Sequence, residues 1–223
     1  MRQNSHTLKH KNSTEFYGPI DRWYDNEDVY DKLAILFESA INSLIKRDNV
    51  LFASKCSERT ICGALMLQLD RKIRFTPFSS YYSDVEYNRN VNGKVKTING
   101  NLKTIFIDEL TPVKINCDLI LHSRGKKLPQ DNLIAIEMKK ANRSDMDKDK
   151  DRMRLMALTR NSYDDVWSAD GKVLPEHVCR YILGVYIEID KSFSKLHFEY
   201  YRKGLQVKEF TKDIYYSNAR LTR

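Results

Sequence analysis

The residues from Ile115 to Lys140, INCDLILHSRGKKLPQDNLIAIEMKK, restrict the fold more than any other part of the chain. Two apolar runs, INCDLILH and NLIAIEMK, flank a polar loop that contains Arg124, Gly125, Lys126, Lys127 and Pro129. Each run is short, rich in Ile and Leu, and bounded by turn residues, the pattern of two strands joined as a hairpin. Side chains alternate between faces along a strand, so Glu137 and Lys139 share one face while Ile136 and Met138 share the other. Asp118 shares its face with Ile120 and His122. Pairing symmetric about the loop sets Asp118 opposite Glu137. Two carboxylates and an ammonium then meet on one face of an otherwise apolar hairpin, and burying such charges without compensation is costly.

Two readings of this trio fit the residues. One is a cross-strand salt bridge on a half-exposed sheet. The other is a metal site, because hard divalent cations such as Mg²⁺ take carboxylate oxygens, water and substrate phosphate and need only one or two protein carboxylates. A metal held by Asp118 and Glu137 would polarise a phosphodiester and lower the pKa of a bound water. Lys139 would orient that water or stabilise negative charge developing on the phosphate.

Elsewhere the periodicity marks packing elements. EDVYDKLAILFESAINSLIKRD carries Val29, Leu33, Leu36, Phe37, Ala40, Ile41, Leu44 and Ile45 at helical spacing, with acids at its start and Lys46 and Arg47 at its end. Residues 1–26 are polar and expected to be loosely held, with Phe16, Tyr17, Trp23 and Tyr24 anchoring the end of that segment. A second helix is expected over Ser57 to Leu69, with Ser57 as its cap and a stripe of Ile61, Cys62, Leu65, Met66 and Leu69. Glu58 lies one turn before Ile61 on that stripe, so it leans inward at a helix N-terminus, where an acid also complements the helix dipole.

From Tyr81 the pattern turns to β, with strands expected near 82–90, 94–98 and 102–108 and tight turns at Asn92-Gly93 and Asn99-Gly100. Glu86 either points at the hairpin or pairs with Arg89. Lys94, Lys96 and Lys103 would track a phosphate backbone, or equally protect a solvated edge. After the hairpin, NRSDMDKDKDRMRLMALTR reads as a helix capped by Ser144 and Asp147, with Met146, Met153, Met156 and Ala157 inward and the intervening charges on a solvated face. A crossover then leads to a strand at 180–189, parallel to 132–139, followed by strands in KLHFEYYRK and LQVKEF. The tail from residue 213 is basic and aromatic, and a disordered terminus is expected there. His122 would support the site or contact a phosphate, although a histidine satisfied by hydrogen bonds at a strand end fits as well.

Around the hairpin, DVEYNRN, CDLILHSRG and NLIAIEMKK follow one another in an order that resembles the PD-(D/E)XK nuclease superfamily, in particular a group of small bacterial proteins within it. The resemblance spans roughly Ser57 to Thr159, and it departs from the family name at Cys117, where that name has Pro. It implies an α/β fold of restriction-endonuclease-like type, with a mixed central β-sheet flanked by α-helices in a single domain over 27–212. It implies Mg²⁺ or Mn²⁺ held by Asp118 and Glu137, with Lys139 assisting the attacking water. SERTICGALMLQL resembles the superfamily helix that carries an additional glutamate, which makes Glu58 a further metal or water ligand. Glu86, Arg89, His122, Arg124, Lys94 and Lys96 are the residues placed around the site or on nucleic acid.

Composition agrees with that expectation. At 41% hydrophobic and 30% charged the chain reads as an ordinary soluble globular protein. No run approaches the roughly 18 apolar residues that a membrane span requires, and MRQNSHTLKHKNST has no apolar core to serve as a secretory signal. The 4 cysteines lack C-x-x-C pairing, which indicates neither a zinc site nor a disulfide framework and suits a reduced cytoplasm. A net charge of +8 favours a polyanionic partner, and the resemblance implies nucleic acid, DNA favoured over RNA. The 8 glycines form no phosphate-binding loop. A homodimer would ease cutting of both strands of a duplex. A protein that keeps the fold but binds nucleic acid or a protein partner without cleaving is the alternative.

Overall fold

The stripe that begins at Val29 becomes helix α1 (Glu27–Arg47), and all eight of its apolar residues are buried. The Asn26 side chain caps it, accepting from the N–H groups of Asp28 and Val29. A short helix α2 (Asn49–Ala53) leads to α3 (Glu58–Ile73), where the Ser57 hydroxyl accepts from the N–H of Thr60 as a cap should. The computed structural model describes residues 17–86, 117–161 and 179–216, together with the backbone of short strands at Thr97–Ile98, Asn101–Leu102, Thr104–Phe106 and Pro112–Lys114.

Six strands form one mixed sheet in chain order: β1 (Tyr82–Val85), β2 (Leu119–His122), β3 (Asn132–Lys140), β4 (Leu183–Ile189), β5 (Lys195–Arg202) and β6 (Leu205–Asp213). Neighbours are antiparallel except β3 and β4, which run parallel and are joined through helix α4 (Asp145–Leu158). The protein is therefore mixed α/β, with helices flanking a central sheet. The expected strand at 180–189 lies where the crossover reading put it. Pro112–Lys114, which pairs with Thr104–Phe106, has no counterpart in the sequence reading. The Asn-Gly turns, Arg89, Lys94, Lys96 and Lys103 lie outside the described residues.

The two faces of the sheet differ in kind. One carries Leu119, Leu121, Ile134, Ile136, Val185, Ile187, Phe198 and Tyr200 into the main core with α1 and α3. The ring of Phe37 stands edge-on to Phe198 and Tyr200 at centroid distances of 6.0 and 5.9 Å. The other face holds a smaller cluster, in which Ile120, Ala135, Tyr186 and Tyr201 meet Leu155 and Leu158 of α4. Gly184 allows that approach, because a Cβ there would lie 2.9 Å from Thr159 Cγ2 and 3.0 Å from Tyr201 Cβ.

Helix α4 corrects two expectations. Ser144 is indeed its cap, accepting from the N–H of Asp147 and donating to the Asp147 carboxylate. Met146, however, is 64% exposed, and the buried residues of the helix are Lys148, Asp151, Leu155 and Leu158. The intervening charges form a solvated face only in part: Asp145, Asp147 and Asp149 are exposed, while others turn to the sheet. Lys148 reaches Glu188 at 3.0 Å, Asp151 reaches Lys139 at 2.9 Å and Arg152 reaches Glu199 at 2.8 Å. The first turns of α4 dock on acids and a lysine that project from β3, β4 and β5, so the helix pairs its charges with the sheet as well as within itself. No apolar stripe could announce this, because the sheet face beneath is itself charged.

At the chain ends, Trp23 and Tyr24 are buried as expected, in a 3-10 turn over Ile20–Asp25. Tyr24 donates its hydroxyl to the carbonyl of Thr159 at 2.6 Å and so ties this segment to the end of α4. Ile214 is buried and Tyr216 donates to the carbonyl of Phe193, so the chain stays packed beyond Asp213, where a disordered terminus was expected.

Candidate functional site

The hairpin register is the one that the apolar pattern dictates: Leu119 faces Ile136, Ile120 faces Ala135 and Leu121 faces Ile134. Continuing that register by one residue sets Asp118 against Glu137. Asp118 is half-buried, and its Oδ2 accepts from the N–H of Met138 at 2.8 Å, which pins the carboxylate to β3. Glu137 and Lys139 project from the same side of β3, away from Ile136 and Met138, and Glu137 is 1% exposed.

Three further acids gather at this end of the sheet, where β1 ends, β2 begins and β3 ends. Glu58 reaches across from the first turn of α3, accepting from the N–H of Lys140 at 2.8 Å and from Arg143 at 2.9 Å. Glu86, which follows β1 at a φ of 47°, accepts from Arg59 at 2.7 Å. A cleft of about 280 Å³ opens between Glu58, Glu86 and Asp118, with Cys62 in its wall. Asp151 is the acid that the sequence did not single out. It comes from α4 and lies 2.9 Å from Lys139 Nζ and 3.0 Å from Arg154 Nη1. Arg154 Nη1 also donates to Glu137 Oε1. The spacing Asp151-x-x-Arg154 is the i,i+3 step that places both on one helix face, a signal lost among the many charges of this helix.

The electrostatics separate these acids. Burial, with the neighbouring Asp118 and Asp151 adding to it, holds the Glu137 carboxyl well above its usual range in spite of Arg154. Burial also raises Asp118, against the Met138 N–H and Lys139, which favour its charge. For Glu58, burial is outweighed by hydrogen bonds from Arg143 and the Lys140 N–H, and its carboxyl is lowered. Burial would lower Lys139, but Asp118 and Asp151 more than offset it and hold the ammonium.

His122 and Arg124 belong to a different cluster. Both side chains converge on Asp84 of β1, which stands opposite Ile120, two residues along β2 from Asp118. There His122 Nε2 lies 3.0 Å from Asp84 Oδ2, Arg124 Nε donates to Asp84 at 2.7 Å, and the Arg124 guanidinium stacks 4.3 Å over Tyr82. Asp84 is the anchor here, although the sequence reading gave it no role. Burial raises its carboxyl, but the hydrogen bonds from His122 and Arg124 prevail and hold it far below the usual value of 3.8. A depressed folded pKa stabilises the fold above the unfolded value, and that contribution is lost as pH falls through the folded one. Asp84→Asn is accordingly expected to lower the melting midpoint at pH 7 by a few degrees, about 2–4 °C per kcal/mol lost in a domain of this size. The gap to the unmodified protein should narrow progressively as pH falls below 3.8 and vanish only once the depressed folded value is passed, and thermal unfolding across that range checks it.

No protein-family model, curated protein or solved structure matches the chain. The geometry alone therefore carries the reading of the site.

Whether these residues suit a divalent cation is decided by their donors. Asp118 and Glu137 are hard oxygen donors, side by side and raised by burial, so a cation would relieve the charge that burial penalises. A cleft reaches Asp118 and Glu58. Asp151 Oδ2 is buried with Lys139 Nζ 2.9 Å away, which adds a further hard oxygen beside the pair. The chemistry fits a hard cation. Among the described residues, no three carboxylate, imidazole or thiolate groups are yet gathered to hold one; Glu137 faces Arg154 instead.

Proposed function

We propose that the protein is a divalent-metal-dependent nuclease that hydrolyses phosphodiester bonds, most readily in DNA, on a restriction-endonuclease-like fold. The observation that carries this reading is the hairpin register, which brings Asp118 against Glu137 and Lys139 on the charged face of the sheet. The resemblance of DVEYNRN, CDLILHSRG and NLIAIEMKK to the PD-(D/E)XK superfamily supports it, as does the β3–α4–β4 crossover with the site at the strand hairpin. Mg²⁺ or Mn²⁺ would be held by Asp118 and Glu137, with Glu58 on the far wall of the cleft as a further metal or water ligand. Such an ion supplies a Lewis acid and a water of lowered pKa. Lys139, kept as an ammonium by Asp118 and Asp151, places a positive charge beside the attacked phosphate. The net charge of +8 assists the approach of a polyanion.

One observation favours a second reading, a nuclease-fold protein that binds nucleic acid or a protein partner without cleaving. Glu58, Glu86 and Glu137 each already have an arginine partner, so their charges are met without metal. Incubation with circular and linear DNA, single strands and RNA separates the two. Cleavage of at least one substrate in Mn²⁺, stopped by EDTA, is expected; salt-sensitive binding of DNA with no product in any metal would establish the second.

A further inference from the structure

Two acids and two bases make a chain of ion pairs between β3 and α4: Glu137 with Arg154, Arg154 with Asp151 at 3.0 Å, and Asp151 with Lys139 at 2.9 Å. All are substantially buried; the side chains of Glu137, Asp151 and Arg154 are 1%, 5% and 12% exposed. A buried carboxylate needs a cation, and in the metal-free protein Glu137 takes the guanidinium of Arg154. A divalent ion on the same carboxylate would bring a second, larger positive charge against that guanidinium, and like charges at contact distance repel strongly in a poorly solvated site. The two cations therefore compete for Glu137.

We propose that Arg154 is the resident counter-cation of the site, which neutralises Glu137 when no metal is bound and gives it up when a divalent ion arrives. The inference rests on the metal-dependent reading above. The same Nη1 that bonds Glu137 already bonds Asp151 Oδ1, so Arg154 turns onto Asp151 without leaving its pocket. Asp151 Oδ2 lies 2.9 Å from Lys139 Nζ, so Asp151 already bridges Lys139 and Arg154 and keeps both cations beside the site. Helix α4 thus takes part in metal binding through a residue that is not a ligand, and Arg154 sets the affinity by competing for Glu137.

The test measures Mn²⁺ binding by calorimetry, and thermal unfolding with and without Mn²⁺, for the unmodified protein and for Arg154→Met, Arg154→Lys and Arg152→Met. Removing the competitor should destabilise the metal-free protein yet tighten Mn²⁺ by about tenfold or more, the range of close buried charge pairs. Arg154→Lys, which keeps a cation but not the bridging guanidinium, should tighten Mn²⁺ by less and provides the measurement if the methionine variant does not fold without metal. Arg152→Met breaks the neighbouring pair with Glu199 and should lower the melting midpoint without changing Mn²⁺ affinity. Unchanged or weaker Mn²⁺ binding by both Arg154 variants, where the unmodified protein binds it, would overturn the inference and leave the metal-dependent reading standing. No Mn²⁺ binding by any of the four proteins would overturn both.

Discussion

Lys139→Ala is expected to slow metal-dependent DNA cleavage by about 10²–10³-fold, the usual loss on removing one group that stabilises developing charge. The residue has no other task of comparable weight. It lies on the charged face of β3, 20% exposed, with Asp151 at 2.9 Å and with Asp118 as the strongest influence holding its proton. Its loss leaves Asp151 paired with Arg154 at 3.0 Å, so the fold should survive and the defect should sit in turnover. Rates in Mn²⁺ alongside melting midpoints check this; a parallel collapse of both would assign Lys139 to structure.

The largest stability effect is expected on the opposite face of the sheet. Phe198 is 0% exposed and its ring stacks on Phe210 at 4.9 Å while standing edge-on to Phe37 at 6.0 Å. It links α1, β5 and the edge strand β6. Truncation to alanine removes those contacts and leaves a cavity that two strands and a helix cannot all close, at a cost of about 3–5 kcal/mol. Against a total of about 5–15 kcal/mol for a typical domain, that brings the protein close to unfolding at 25 °C. Denaturant titration should show the midpoint falling with little change in slope.

These two results divide the sheet by function. The face beneath α1 and α3 is apolar and supplies stability. The face beneath α4 carries Glu137, Lys139, Glu188 and Glu199, each met by a charge from α4. Desolvating those charges returns little stability, since buried ion pairs recover their Coulomb energy only in part. Such a face costs the fold something, and strained or costly groups collect where a protein acts.

The apolar half of this plan was legible in the sequence and the charged half was not. Helix α1, the cap of α3 and the hairpin register follow from residues that repeat at 3.6 or 2 positions, and burial enforces those periods. Asp118, Glu137, Lys139 and Glu58 were found by their place on those patterns. Asp151 and Arg154 stand in a helix where 8 of 14 residues are charged, so nothing local separates those that turn inward from those that stay in water. Only Glu137 and Lys139 on β3 make the distinction, and they lie on another element. His122 and Arg124 show the converse. His122 shares a strand face with Asp118, yet it and Arg124 are held by Asp84, opposite Ile120, an acid that nothing in the sequence singled out.

The most direct test of the central claim is DNA cleavage by the unmodified protein and by Glu137→Gln, each in Mn²⁺ and in EDTA. The amide keeps the size of the side chain and removes the charge that a metal requires. Cleavage only by the unmodified protein and only in Mn²⁺ is the predicted result. Cleavage that persists in EDTA, or equally in Glu137→Gln, would show that the chemistry lies elsewhere in the chain.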